Sequence, residues 1–142
     1  MRGARTAGRW TLSLALGLGF LSIAEPSAEE VDCENASSTV EMNYCGEQAY
    51  LRADAELNRV YQEILAGIDG HDDLEPDRMK AWKEALKAAQ RAWVDFKEKD
   101  CGELIGYEWY GGTGAGPASY GCFTQKTETR IKELKERYEV SE

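Results

Sequence analysis

Met79, Trp82, Leu86, Ala89, Trp93 and Phe96 recur at steps of three and four residues without a break. A stripe of that period lines one face of an α-helix and cannot line one face of a strand, whose side chains alternate. Two further segments keep the same rhythm. Met42, Cys45, Ala49, Ala53, Leu57, Val60, Ile64 and Ile68 form the first, and Phe123, Thr127, Ile131, Leu134 and Tyr138 form the last. Ser38 and Glu41 have the spacing of a capping box, Gly67 and Gly70 can stop a helix, and Pro76 suits the first turn of the next. Helices are therefore expected near 38–68, 76–100 and 124–138. No segment after residue 24 alternates with a period of two. The expected fold is all-α: a long antiparallel helical hairpin plus a third, shorter helix, packed around Leu57, Trp82, Leu86, Trp93 and Leu134.

The chain of 142 residues has room for one domain, and its first segment reads differently from the rest. Arg2, Arg5 and Arg9 precede the apolar run from Trp10 to Ile23, which is shorter than the ~20 residues a membrane span needs. A basic start, a short apolar middle and small residues at Ser22 and Ala24 describe a secretory signal peptide. Cleavage is expected after Ala24, with Ala28 as the alternative, leaving residues 25–142 as the domain. No cysteine follows the apolar run directly, so no lipid anchor and no stable membrane attachment are expected after cleavage. The destination is the periplasm or the exterior.

Loss of the three arginines leaves 14 of 17 basic residues against 26 acidic ones, a net charge near −12. Such a surface repels phosphate backbones, which excludes nucleic acid as a partner, and it attracts cationic proteins. Cys33, Cys45, Cys101 and Cys122 all follow residue 24, and an even count in an exported chain reads as two disulfides. None of their spacings resembles a zinc knuckle. In an antiparallel hairpin, the end of the second helix returns to the start of the first, so all four cysteines gather at one pole. Cys45 and Cys101 fall at similar heights, which favours Cys45–Cys101 with Cys33–Cys122; the sequential pairing stays open.

The segment from Tyr107 to Cys122, YEWYGGTGAGPASYGC, is rich in glycine and bracketed by aromatics. It lacks the preceding strand and the Lys-Ser/Thr pair of a phosphate loop. A free linker would seldom carry Tyr107, Trp109, Tyr110 and Tyr120. Two readings fit: the rings fold back to cap the bundle, or some face outward as rigid anchors for a partner. These four aromatics are the candidate partner-binding residues.

The residues offer no catalytic constellation. The single histidine, His71, lies in an acidic turn with no nucleophile beside it, and Leu74 stands where a calcium loop starting at Asp69 would need glycine. Neither a metal nor a cofactor is implied. Asn58 and Gln90 flank apolar stripes and are expected to bridge helices by hydrogen bonds.

The ordered strings TVEMNYC, AELNRVY, LKAAQRAWVDFKEKDC, YGG and TETRIKEL, with their four cysteines, resemble the lysozyme inhibitor LprI-like family of small exported bacterial domains. The matching positions include Leu57, Asn58, Tyr61, Gln90, Trp93, Phe96 and Arg130, read as a structural motif. The resemblance implies a helical, disulfide-bearing envelope protein without enzyme activity that binds a protein partner and inhibits lysozyme. Animal lysozymes are typically basic, so an acidic inhibitor would be steered towards them and could act by plugging the substrate cleft. The competing expectation is a periplasmic interaction or scaffolding module with another partner. In either case the chain is expected to act as a monomer.

Overall fold

A computed structural model describes residues 31–141 and contains helices and turns; no strand occurs among the described residues. The leader expected over residues 1–24 lies outside them. The element order is α1 (Thr39–Asp69), α2 (Pro76–Glu98), a π-helical turn (Lys99–Leu104), α3 (Ile105–Glu108) and α4 (Ala115–Tyr138).

Local chemistry sets the ends. The capping box at the start of α1 forms in both directions, with Ser38 Oγ accepting from the Glu41 N–H and Glu41 Oε2 accepting from the Ser38 N–H at 2.9 Å. Gly70 closes α1, and Pro76 occupies the first turn of α2, where its missing N–H leaves no bond unmade. The backbone stays right-handed helical through Lys99 and Ile105, so the run from Pro76 to Glu108 is unbroken. α4 ends on Glu139 in the left-handed conformation, φ 55°.

α4 starts at Ala115, nine residues before the expected Thr124, and at 24 residues it is shorter than the 31 of α1. Gly116, Pro117 and Gly121 all lie inside this helix, and Gly116 is in close contact with α1. A Cβ on Gly116 would lie 2.3 Å from Asn43 Oδ1, and one on Gly46 would lie 2.8 Å from Tyr120 Cβ. Together with the Tyr50–Phe123 ring pair at 5.2 Å, these contacts climb both helices in step. α1 and α4 are therefore parallel, and they form the closest seam of the molecule. α2 runs antiparallel to both.

The core consists of Leu57, Val60, Ile64 and Ile68 from α1, Leu86 from α2, and Ile131 and Leu134 from α4. Trp82 and Trp93 pack against it while staying partly accessible. The buried face of α2 is displaced by one residue from the expected stripe at its distal end. Gln90 and Lys97 turn inward, and Ala89 and Phe96 are exposed. A three-then-four step and a four-then-three step from Leu86 share Trp93, so helical period alone could not choose the azimuth.

All four cysteines gather at one pole, but the favoured pairing is wrong. The bonds are Cys33–Cys45, with Cα atoms 5.5 Å apart, and Cys101–Cys122, with Cα atoms 5.4 Å apart. Height along the axis brought Cys45 and Cys101 level; azimuth separated them. α1 presents Asn43, Gly46 and Tyr50 to α4, and Cys45 sits a helical step away from that seam, where the segment before α1 folds back to meet it. Each bond closes a loop of 12 or 21 residues, stabilising by about 3 kcal/mol in the chain-entropy account.

Candidate functional site

The segment between Cys101 and Cys122 is a closed, internally bonded cap. Cys101 is buried in the π-helical turn. The chain then turns through a ladder of backbone bonds: Trp109 N–H to Ile105 O, Tyr110 N–H to Tyr107 O, Gly111 N–H to Gly106 O, Gly112 N–H to Trp109 O, and Ala115 N–H to Gly112 O. Few of its amides are left to water, which rules out a slack linker. Tyr110 and Gly111 take left-handed φ values of 51° and 69°. For Gly111 this is inexpensive; for Tyr110 it is strained.

The four candidate aromatics divide. Tyr107 is 79% exposed and Tyr110 97%. Trp109 is half-exposed and lies flat on Gly114, where a Cβ would stand 2.2 Å from its ring. Tyr120 is turned inward against Gly46 of α1. Both readings of the segment thus hold, for different rings: Trp109 and Tyr120 cap the bundle, and Tyr107 and Tyr110 project from it.

Beneath this cap lies a cluster that sequence reasoning missed. Lys97, 2% exposed, donates to Tyr50 Oη at 2.7 Å and stands over the rings of Tyr50, Trp93 and Phe123 at 4.8, 5.3 and 5.6 Å. Three ring faces and one hydroxyl replace most of the water this ammonium gives up, and Glu98 lies 3.6 Å away at the surface. The signal was available, since Lys97 follows Trp93 by four on the helix, but it stands in the charged run Lys97, Glu98, Lys99 and Asp100.

The motif residues are spread along the helices. Gln90 Oε1 accepts from Arg130 Nε at 3.1 Å, joining α2 to α4, and the Arg130 guanidinium lies 5.9 Å from the Trp93 ring. Leu57 is core and Tyr61 packs against it. Asn58, expected to bridge helices, instead donates to Asp54 O within α1 at 2.9 Å, because it points to solvent. Phe96 is 54% exposed and carries Lys126 over its ring at 4.7 Å. A groove of about 470 Å³ between α1 and α2 has Leu57, Asn58, Tyr61 and Gln90 in its lining.

His71 is exposed in its turn, 3.5 Å from Asp73. Among the described residues, the cluster of metal-ligating atom types is Asp100 with Cys101 and Cys122. Its two sulfurs are joined in a disulfide, and Asp100 pairs with Lys126 at 2.8 Å. Among the described residues no helix is long and apolar enough to cross a membrane.

The family model described as "Lysozyme inhibitor LprI" matches residues 32–134, from just before Cys33 into the last turns of α4. The chain belongs to the LprI family. The match takes in both disulfides, the cap and the Lys97 cluster, so the whole stapled bundle is the LprI unit. Two relatives extend the comparison. Uncharacterized protein R02472 of Rhizobium meliloti (strain 1021) is 38% identical over 133 residues, covering 92% of this LprI chain and 95% of its own length. Uncharacterized protein YecT of Escherichia coli (strain K12) is 35% identical over 82 residues, covering 52% of this chain and 49% of its own. No solved structure matches this LprI chain.

Proposed function

We propose that this protein is an exported, non-enzymatic binding protein that inhibits a basic lysozyme, occluding its substrate cleft with the disulfide-closed pole. The observation that carries this reading is the outward placement of Tyr107 and Tyr110 on a cap restrained by Cys101–Cys122. Large rigid aromatics are the commonest anchors of protein interfaces, and prior restraint lowers the ordering cost of binding. The family's description supplies the partner class. The net charge near −12 after removal of the leader would speed encounter with a basic enzyme. In this reading the leader ends at Ala24, and the domain works in the periplasm or outside the cell.

Titration of the purified protein into a basic animal lysozyme, followed by clearing of a bacterial cell-wall suspension, tests the proposal. Inhibition should be saturable and should weaken as salt is raised, chiefly through a slower on-rate. Full lysozyme activity at a large excess of the protein and low salt would refute it. One observation favours a second reading, an interaction module with another partner. Val40, Tyr44 and Leu51 form an exposed apolar strip on one face of α1, outside the Cys101–Cys122 segment.

A further inference from the structure

Tyr107 and Tyr110 line a shallow, open cleft of about 550 Å³ together with Gly102, Glu103, Gly106 and Gly111. Its construction is not explained by packing. Gly106 sits inside α3, where glycine weakens a helix, yet a Cβ there would meet nothing within 4 Å. At Gly102 the nearest neighbour would be Phe123 Cζ at 3.8 Å, an ordinary contact. Alanine would fit at both positions, so what the glycines provide is a bare floor between the rings. The floor begins in a π-helical turn, an irregularity that clusters at functional sites. The strain at Tyr110 points the same way: a left-handed tyrosine is unfavourable, and here it holds a large ring 97% exposed to water.

The chemistry of the lining selects an occupant. The ion pairs of the pole are Lys97–Glu98 and Lys126–Asp100; among the described residues Glu103 takes part in neither, and within the lining of the cleft it is the carboxylate that can take a cation from outside. Two ring faces beside one carboxylate match a flat, delocalised and weakly hydrated cation better than a compact, strongly hydrated ammonium. A neutral sugar could stack on the rings but would gain little from the carboxylate. We infer that this cleft is a receptor for an arginine side chain of the protein partner, with Glu103 as counter-charge, Tyr107 and Tyr110 as stacking faces, and the glycines as the floor. The inference rests on the reading of the pole as a protein-binding surface and names the group on the partner that the pole holds.

The test uses the purified, isotope-labelled protein and three probes: N-acetyl-arginine amide, N-acetyl-lysine amide and N-acetylglucosamine. The arginine compound should shift the amide resonances of Gly102, Gly106 and Gly111 saturably. The lysine compound should bind at least about threefold more weakly, and the sugar should leave these resonances still. Glu103→Gln, at an exposed position that leaves the fold intact, should weaken the arginine compound by about fivefold or more, and Tyr107→Ala by a similar factor. Absent arginine shifts, stronger binding by the sugar, or an unchanged Glu103→Gln titration would each overturn the inference. No lysozyme enters this measurement. Arginine binding without lysozyme inhibition would leave the cleft standing and remove the lysozyme reading. Inhibition undiminished by Glu103→Gln would do the reverse.

Discussion

Lys97 Nζ and Tyr50 Oη lie 2.7 Å apart between α2 and α1, and this bond is the main polar tie between those helices at the disulfide pole. Tyr50→Phe would leave the ammonium with ring faces and a distant carboxylate only. The expected loss is about 1–3 kcal/mol in urea denaturation, the penalty of an unsatisfied buried donor. Lys97→Met keeps the volume and removes the charge, so stability should be unchanged or raised. A Tyr50→Phe protein as stable as the parent would show that the rings alone hold Lys97.

Trp93 and Phe96 look alike in the apolar stripe and should behave differently. Trp93 packs on the core and lies under both Lys97 and Arg130, so Trp93→Ala should cost about 3–5 kcal/mol. Phe96 is mostly exposed, and Phe96→Ala should cost less than about 1 kcal/mol. Paired thermal melts decide between these values and the equal losses that a shared core face would give.

The aromatics of the cap should also separate. Trp109→Ala removes the ring seated on Gly114 and should lower the melting temperature by several degrees, corresponding to about 1–2 kcal/mol. Tyr107→Ala with Tyr110→Ala should leave the melting curve within about 1 °C and abolish lysozyme inhibition. An unfolded double mutant would make these tyrosines part of the cap; a folded and fully inhibitory one would move the contact surface elsewhere.

The disulfides differ in access. Cys33 is exposed, whereas Cys101 is fully buried, so mild reductant at neutral pH should open Cys33–Cys45 first. Alkylation followed by peptide mapping reads the order directly. Simultaneous opening would indicate that the pole unfolds as a unit.

Glu56 accepts hydrogen bonds from Arg59 and is paired with Lys135 of α4 at 2.9 Å, and these contacts pull its pKa from 4.5 down to about 2. A carboxylate with a depressed folded pKa contributes stability that is fully present above about pH 4.5 and is lost as pH falls towards 2. The side chain is about one third exposed, so solvent screening limits the effect to about 1 kcal/mol or less. Glu56→Gln should flatten the stability profile between pH 2 and 4.5 and reduce stability slightly at neutral pH. Identical slopes for both proteins in that window would assign the dependence to other carboxylates.

The helices and their directions were legible because amphipathic period and caps are local properties. Ser38, Glu41, Gly70 and Pro76 set ends that lie within a residue of expectation. The start of α4 was not, because Gly116 disfavours a helix on its own, and its close approach to Asn43 of α1 is a tertiary contact that the local sequence does not reveal. The disulfide pairing and the inward turn of Lys97 depend on azimuth, which a period of three or four fixes only to within one residue. Of the candidate site, the choice of the Cys101–Cys122 segment could be read from its composition. The division of its rings into inward and outward pairs required the coordinates.

The parallel seam between α1 and α4 joins segments about 73 positions apart, with α2 and the cap strung between them. Much of what α1 buries therefore waits for α4 to be made. Long-range contacts of this kind slow folding for a helical bundle. A chain interrupted before Ala115 would carry Leu57, Val60 and Ile64 as a bare apolar ridge, prone to aggregate or to be cleared by proteases. Docking of α4 is thus the step that takes this ridge out of water.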